Sequence, residues 1–137
     1  MIKGIFGVNV AVRDLAAATA KYETMFGVRA VALAEEDFAF PGLTGSQLVI
    51  NGFHLNLIAS HRDDTSIAKF IERKGEGLFL LSVEVDAMAK DEADLRGKGF
   101  ELLLGEAAAG DFGAVNFVHP KSMHGVQVEL IQPKRKG

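Results

Sequence analysis

The residues best suited to chemistry lie in the C-terminal segment 116–132. Its second half alternates apolar with polar side chains, in the order Val126, Gln127, Val128, Glu129 and Leu130. Successive side chains of a strand point to opposite faces, so this pattern predicts a strand with one apolar and one polar face. A carboxyl group on a buried polar face is desolvated, which raises its pKa and suits it to general base catalysis or ligand binding. Glu129 is therefore the candidate catalytic residue, and a charge that protects a sheet edge is the alternative.

The composition excludes several classes of protein. The 137 residues contain no cysteine, which excludes disulfides and cysteine-ligated zinc. The net charge of −3 gives no basic surface for a nucleic acid, and the one basic cluster, Lys134 to Lys136, is predicted to be a solvated tail. No signal-peptide pattern and no apolar run of about 18 residues occurs, so we expect a cytoplasmic protein that does not bind a membrane.

The elements that must position Glu129 follow one order twice. Alternating apolar residues predict strands, whereas apolar residues at helical spacing between Asp14 and Gly27 predict a helix. The first half is predicted to contain a strand, this helix and three more strands, at residues 6–12, 14–27, 28–34, 47–50 and 53–59. The second half is predicted to repeat that order, at residues 78–85, 88–98, 101–104, 114–119 and 126–132. Asn51-Gly52 is typical of a hairpin turn.

Residues of the first half align with residues 73 positions later in the second half, and this constant shift needs no gap at either end. The shift places Gly7 on Leu80 and Asn56 on Glu129. A repeated element order at a fixed spacing indicates a duplicated unit. We therefore predict an α+β fold of two tandem βαβββ modules, residues 1–60 and 77–137, joined by a polar connector at residues 61–76 that carries a short helix. The strands are predicted to form a curved mixed sheet with the shape of a cup.

The polar faces of the first and last strand of each module are predicted to line this cup. The opposite faces are apolar and include Val126, so they are expected to pack under the helices. A concave surface with a few polar groups is where small molecules bind. The candidate ligand-binding residues are Asn9, His54, Asn56, Phe79, Leu80, Ser82 and Gln127, together with Lys121 from the loop before the last strand.

Four segments resemble the vicinal oxygen chelate superfamily, which includes glyoxalases, bleomycin resistance proteins and dioxygenases. They are Gly75-Glu76-Gly77-Leu78, Val83-Glu84-Val85-Asp86, Asn116-Phe117-Val118-His119-Pro120-Lys121-Ser122 and Gly125-Val126-Gln127-Val128-Glu129-Leu130. Within the superfamily, these segments are most similar to methylmalonyl-CoA epimerases. The resemblance implies paired βαβββ modules, which the constant shift indicates independently, and it implies a homodimer.

The resemblance also implies a divalent metal ion held by one residue from each of four strands, and these positions fall on Gly7, Asn56, Leu80 and Glu129. Glycine and leucine side chains have no donor atoms, and two monodentate oxygens are too few to hold a transition metal. No cofactor is therefore expected. A displaced divalent metal site made of His54, Gln127 and Glu129 is the alternative.

Binding of a small organic or acyl-CoA-like ligand in the cup, without a metal ion, is the function that these residues favour. The alternative is an acyl-CoA epimerase, isomerase or lyase in which Glu129 is the base, either without a metal ion or with the displaced site. A structural or partner-binding domain is a third hypothesis.

Overall fold

The structure is a computed structural model that describes residues 1–134. The predicted tail at Lys134 to Lys136 therefore lies, except for the exposed Lys134, outside the described residues. The helices and strands, in chain order, are β1 (Ile2–Ala11), α1 (Leu15–Phe26), β2 (Val31–Leu33), β3 (Leu43–Ile50), β4 (Phe53–Ser60), α2 (Ser66–Lys74), β5 (Gly77–Val85), α3 (Met88–Gly97), β6 (Ala108–Gly110), β7 (Gly113–Val118) and β8 (Val128–Gln132).

Side-chain caps fix where the first two helices begin. Asp14 Oδ1 accepts a hydrogen bond from the backbone N–H of Ala17 at 3.0 Å, and the Thr65 hydroxyl accepts one from Ala68 at 3.0 Å. Helix α1 ends at Gly27, whose φ of 68° is the left-handed conformation that glycine adopts without strain. Within residues 1–134, no helix is long and apolar enough to cross a membrane.

The chain from Gly7 to Phe79 forms one compact unit. Its strands lie in the order β2-β3-β4-β1, with β1 parallel to β4 and the other neighbours antiparallel. One face packs against α1 and buries Leu57. On the other face, Ile67 of α2 packs against Ala11 and Ile58. The connector helix therefore packs with the strands of this unit.

Met1–Phe6 and residues 80–134 form the second unit. Its strands lie in the order β5-β8-β7-β6, and β5 is parallel to β8. One face packs against α3, where Met88 and Leu95 contact a cluster that includes Val83 and Leu130. The predicted α+β class and the repeated βαβββ order are confirmed.

The strand register shows the duplication residue by residue. Asn9 of β1 lies opposite Asn56 of β4, and the equivalent residues of the second unit, Ser82 of β5 and Glu129 of β8, also lie opposite each other. The shift that aligns Asn56 with Glu129 therefore also aligns their partners. Equivalent register is what two copies of one supersecondary unit should have.

Asn116 of β7 is fully buried and fixes the segment before β6. Its Oδ1 accepts hydrogen bonds from the backbone N–H groups of Leu104 at 3.1 Å and Phe117 at 2.7 Å. Its Nδ2 donates to the Leu104 carbonyl at 3.0 Å and to Glu92 Oε2 at 2.5 Å. Asn116 is therefore a structural residue, because its side-chain amide makes the hydrogen bonds that these buried backbone groups need in the interior.

Two predicted strands are wrong in extent or place. No strand forms at residues 101–104, where Leu102 makes only an isolated bridge to Val118. The reason is that the Leu104 carbonyl accepts from Arg96 at 2.8 Å and from Asn116 Nδ2 at 3.0 Å, and the Leu104 N–H donates to Asn116 Oδ1 at 3.1 Å. Neither backbone group of Leu104 therefore extends the bridge into a strand. The strand predicted at residues 28–34 is only Val31–Leu33, because the backbone N–H of Ala30 donates to Glu23 Oε2 at 2.7 Å instead of to a strand.

The predicted apolar packing of Val126 is also wrong. His124 and Gly125 have φ angles of 54° and 93°, and this turn delays the start of β8 to Val128. Val126 consequently lies outside the strand and is 49% exposed. Gln127, predicted on the polar face of the strand, precedes it by one residue, and its backbone carbonyl accepts from the N–H of Leu81 at 3.0 Å.

Candidate functional site

Glu129 lies in the middle of β8, an interior strand of its unit that pairs with both β5 and β7. Its alternative interpretation as an edge charge is therefore wrong. Ser82 of β5 is almost completely buried, and its hydroxyl donates a hydrogen bond to Glu129 Oε1 at 2.7 Å. The Glu129 side chain is half-buried. Ser82 thus orients one oxygen of a carboxyl group that keeps some contact with solvent.

The pKa of Glu129 is raised from 4.5 to about 7. Desolvation of the carboxylate raises it, and the hydrogen bond from Ser82, which favours the charged form, opposes part of that effect. The acid and its conjugate base are therefore both well populated near neutral pH. Such a group can donate a hydrogen bond, accept one or transfer a proton.

A row of three side-chain amides crosses the first unit, which we call the amide row: Asn9 of β1, Asn56 of β4 and Gln47 of β3. Gln47 Nε2 donates to Asn56 Oδ1 at 3.0 Å, and Asn56 Nδ2 donates to Asn9 Oδ1 at 3.0 Å. The three residues are register partners on adjacent strands. Sequence analysis missed Gln47, although the Asn51-Gly52 hairpin register already places it opposite Asn56.

Gly7 leaves no space for a metal ligand. It lies opposite His54, and a Cβ atom built on Gly7 would come within 1.8 Å of the His54 carbonyl oxygen. Residue 7, one of the four positions predicted to hold the metal ion, can therefore carry no side chain at this strand spacing. Leu80, at another of these predicted positions, is 5% exposed and has no donor atom. No group of three or more histidine, cysteine, aspartate and glutamate residues within residues 1–134 could hold a metal ion.

Gly7 and Leu80, two of the four positions at which the resemblance predicts metal ligands, have no donor atom, so the residues at the predicted positions do not fit the metal ion that the family implies. The displaced site of His54, Gln127 and Glu129 stays a prediction.

The remaining predicted ligand contacts have structural partners. Phe79 packs edge-to-face on Phe70, with ring centroids 5.2 Å apart, within the cluster under α2. Lys121 is exposed, and its Nζ lies 2.7 Å from Glu101 Oε2. Contact of a ligand with Phe79, Leu80, Lys121 or Gln127 stays a prediction.

A groove of about 640 Å³ in the first unit was not predicted. Its lining includes apolar residues such as Val12 and Ile71, and charged residues of both signs, namely Arg13, Arg62, Asp63 and Glu72. The two guanidinium groups are already paired, Arg13 with Glu76 and Arg62 with Asp64. The groove therefore offers no net charge of one sign to a ligand.

Comparison with known proteins identifies relatives of the whole chain. The family model described as the glyoxalase/bleomycin resistance protein/dioxygenase superfamily matches residues 8–117. The crystal structure of methylmalonyl-CoA epimerase from Mycobacterium tuberculosis is 29% identical over 98% of this chain and 90% of that one, with a TM-score of 0.88. A comparison with curated protein sequences finds no significant relative.

Two similar structures contain CoA ligands. A Streptomyces coelicolor methylmalonyl-CoA epimerase variant in complex with 2-nitronate-propionyl-CoA is 27% identical, over 98% of this chain and 100% of that one, with a TM-score of 0.88. A methylmalonyl-CoA epimerase in complex with methylmalonyl-CoA and NH4+ is 28% identical, over 97% of this chain and 96% of that one, with a TM-score of 0.88.

Proposed function

Because the chain belongs to the glyoxalase/bleomycin resistance protein/dioxygenase superfamily, we propose that it binds a small organic ligand of the acyl-CoA type through Glu129, without a metal ion. One observation carries this proposal. Glu129 is half-buried on an interior strand, its pKa is raised to about 7, and Ser82 fixes one of its oxygens. A desolvated carboxyl group is costly to the fold, so it is typical of a functional site.

The ligand class is supported by the fold and by the chemistry of the carboxyl group. The similar structures with CoA ligands are epimerases of the same fold. A carboxylic acid that is about half protonated near pH 7 can donate a hydrogen bond to a thioester carbonyl oxygen, which a fully ionised carboxylate would repel. A homodimer, which the resemblance implies, also stays a prediction.

Catalysis by Glu129 is the second candidate function. The carboxylate would remove the proton at the α-carbon of an acyl-CoA, and the electron pair of the C–H bond would pass to the carbonyl oxygen as an enolate. Return of the proton to either face would give epimerisation or isotope exchange. The raised pKa supports this candidate, because a base with a pKa near 7 also returns the proton readily.

Calorimetric titration with propionyl-CoA and methylmalonyl-CoA tests the binding proposal. We expect saturable binding that weakens at least about fivefold in Glu129→Leu, which has neither a donor nor an acceptor, because one hydrogen bond is worth about 1 kcal/mol. Glu106→Leu, the same change at an exposed acid, is the matched control and should bind as the wild type does. Failure of both CoA thioesters to bind the wild type would refute the proposal.

Proton NMR in deuterium oxide separates the two candidate functions. Incorporation of deuterium at the α-carbon of methylmalonyl-CoA, faster with wild type than with Glu129→Gln, would support catalysis. Binding without exchange would support a ligand-binding protein.

A further inference from the structure

Uncharged side chains flank Glu129 on both neighbouring strands. Its register partners are Ser82 on β5 and Phe117 on β7, which are 3% and 7% exposed. Register partners on adjacent strands share a face, so the carboxyl group lies between a hydroxyl group and an aromatic ring. Two positions along β5 from Ser82, the same face carries Leu80, which is 5% exposed, and Glu84. The ionisable member of this set of neighbours is therefore another acid.

No cationic side chain within residues 1–134 acts on the Glu129 carboxyl group. Desolvation and the Ser82 hydrogen bond are the effects that shift its pKa, and neither involves a lysine, arginine or histidine. In the second unit, Lys121 pairs with Glu101 at 2.7 Å, and Arg96 donates to two backbone carbonyls at 2.8 and 3.0 Å. His119 accepts a hydrogen bond from the backbone N–H of Lys121 at 3.1 Å and acts electrostatically on Glu101. These basic side chains therefore have partners other than Glu129.

A thioester bound to Glu129 through its carbonyl oxygen has its α-carbon one bond from the carbonyl carbon. Substituents on the α-carbon therefore lie beside the same carboxyl group. A carboxylate substituent would lose water without gaining a cationic side chain as partner, and ionised Glu129 would repel it. Protonated Glu129 has one proton to donate, for which the ligand carboxylate and the thioester carbonyl would compete. A hydrogen atom or a methyl group at the same place has none of these costs.

We infer that the site at Glu129 accepts thioesters with an uncharged acyl group and discriminates against malonyl-type thioesters, which carry a carboxylate on the α-carbon. This inference rests on the proposed function, because it names the class of acyl group that the proposed site takes. One of the similar epimerase structures is a complex with methylmalonyl-CoA. This chain would therefore share the fold of that protein and differ from it in ligand class.

Three CoA thioesters that differ at the α-carbon test the inference. Methylmalonyl-CoA carries one carboxylate more than propionyl-CoA, and isobutyryl-CoA has a methyl group in the place of that carboxylate. In calorimetric titration near pH 7, we expect the wild type to bind propionyl-CoA and isobutyryl-CoA at least about tenfold more tightly than methylmalonyl-CoA. Isobutyryl-CoA separates the effect of charge from that of size.

Two variants change the charge at the site in different ways. Glu129→Gln keeps a hydrogen-bond donor and removes the negative charge, so the preference against methylmalonyl-CoA should fall below about threefold. Glu84→Lys leaves Glu129 in place and adds a cation on the same face, which should narrow the preference in the same direction. Glu106→Gln, a change of an exposed acid, is the matched control and should keep the wild-type preference. Retained binding of isobutyryl-CoA shows in each case that the variant is folded.

The outcomes can be told apart. Three results would overturn this inference and leave the proposed function intact: methylmalonyl-CoA binds as tightly as propionyl-CoA, isobutyryl-CoA binds as weakly as methylmalonyl-CoA, or the preference is unchanged in both charge variants. A preference that appears only after dialysis against EDTA would also overturn it, because a metal ion would then supply the cation. Binding of neither propionyl-CoA nor methylmalonyl-CoA would overturn the inference and the proposed function together.

Discussion

The raised pKa of Glu129 makes the stability of this protein fall as pH rises, and Glu129→Gln should remove that dependence. In the unfolded chain the carboxyl group ionises with a pKa of 4.5, and in the fold with a pKa of about 7. Between these values the folded state binds a proton that the unfolded state has lost. The contribution of Glu129 to the free energy of unfolding must therefore decrease from about pH 4.5 to about pH 7 and then level off.

The size of the effect follows from the shift. One pKa unit corresponds to about 1.4 kcal/mol, so a shift from 4.5 to about 7 gives about 3 kcal/mol at most. Because the side chain is half-buried, we expect about 2 kcal/mol. Glutamine keeps an oxygen that can accept the Ser82 hydrogen bond and has no charge to desolvate. Relative to wild type, Glu129→Gln should therefore gain about 2 kcal/mol between pH 4.5 and pH 8.

Urea unfolding followed by circular dichroism, at intervals of about half a pH unit from 4.5 to 8.5, measures this difference. All other carboxyl groups titrate in both proteins, so their contributions cancel when the two curves are subtracted. Glu106→Gln should run parallel to wild type throughout. The reasoning is refuted if the difference between wild type and Glu129→Gln does not change with pH, or if it changes in the opposite direction.

Three further predictions concern positions that the sequence left open. Gly7→His should destabilise the fold by more than about 3 kcal/mol in urea unfolding, because its Cβ would meet the His54 carbonyl at 1.8 Å. Gly97→Ala, in a helix with free space around it, is the control and should be neutral or stabilising. Equal stability of Gly7→His and the wild type would contradict the strand spacing. Asn116→Ala should cost about 3 kcal/mol, since it removes a buried hydrogen-bond partner from Glu92 and from three backbone groups. A loss below about 1 kcal/mol would argue against that network. Dialysis against EDTA should leave the thermal midpoint of the wild type unchanged within about 1 °C, and a clear fall would indicate a bound metal ion.

The order of the elements along the chain and the duplication could be predicted because they depend on local alternation and on repetition. Alternating side chains placed Glu129 and Ser82 on one face of their strands, and the structure brings the two into contact. The equivalent register of the two units in the structure agrees with the constant shift. These features follow from the two-residue period of a strand, which tertiary contacts did not override here.

Other features depend on contacts that no local pattern contains. The failure of residues 101–104 to form a strand results from Arg96 and Asn116, which are distant in sequence from the peptides they bind. The role of Gln47 requires the register of a hairpin, and the constraint at Gly7 requires the spacing between two parallel strands. The extent to which Glu129 is desolvated likewise depends on packing from several elements.

The close approach of strands at Gly7 restricts how this protein can change over evolutionary time. A mutation that introduced histidine at residue 7 would require strands β1 and β4 to move apart. Such a mutation alone would therefore damage folding before its imidazole could bind any ion. A side chain at residue 7 would first need a permissive change in β4. Descendants with the same strand spacing should therefore retain glycine at this position.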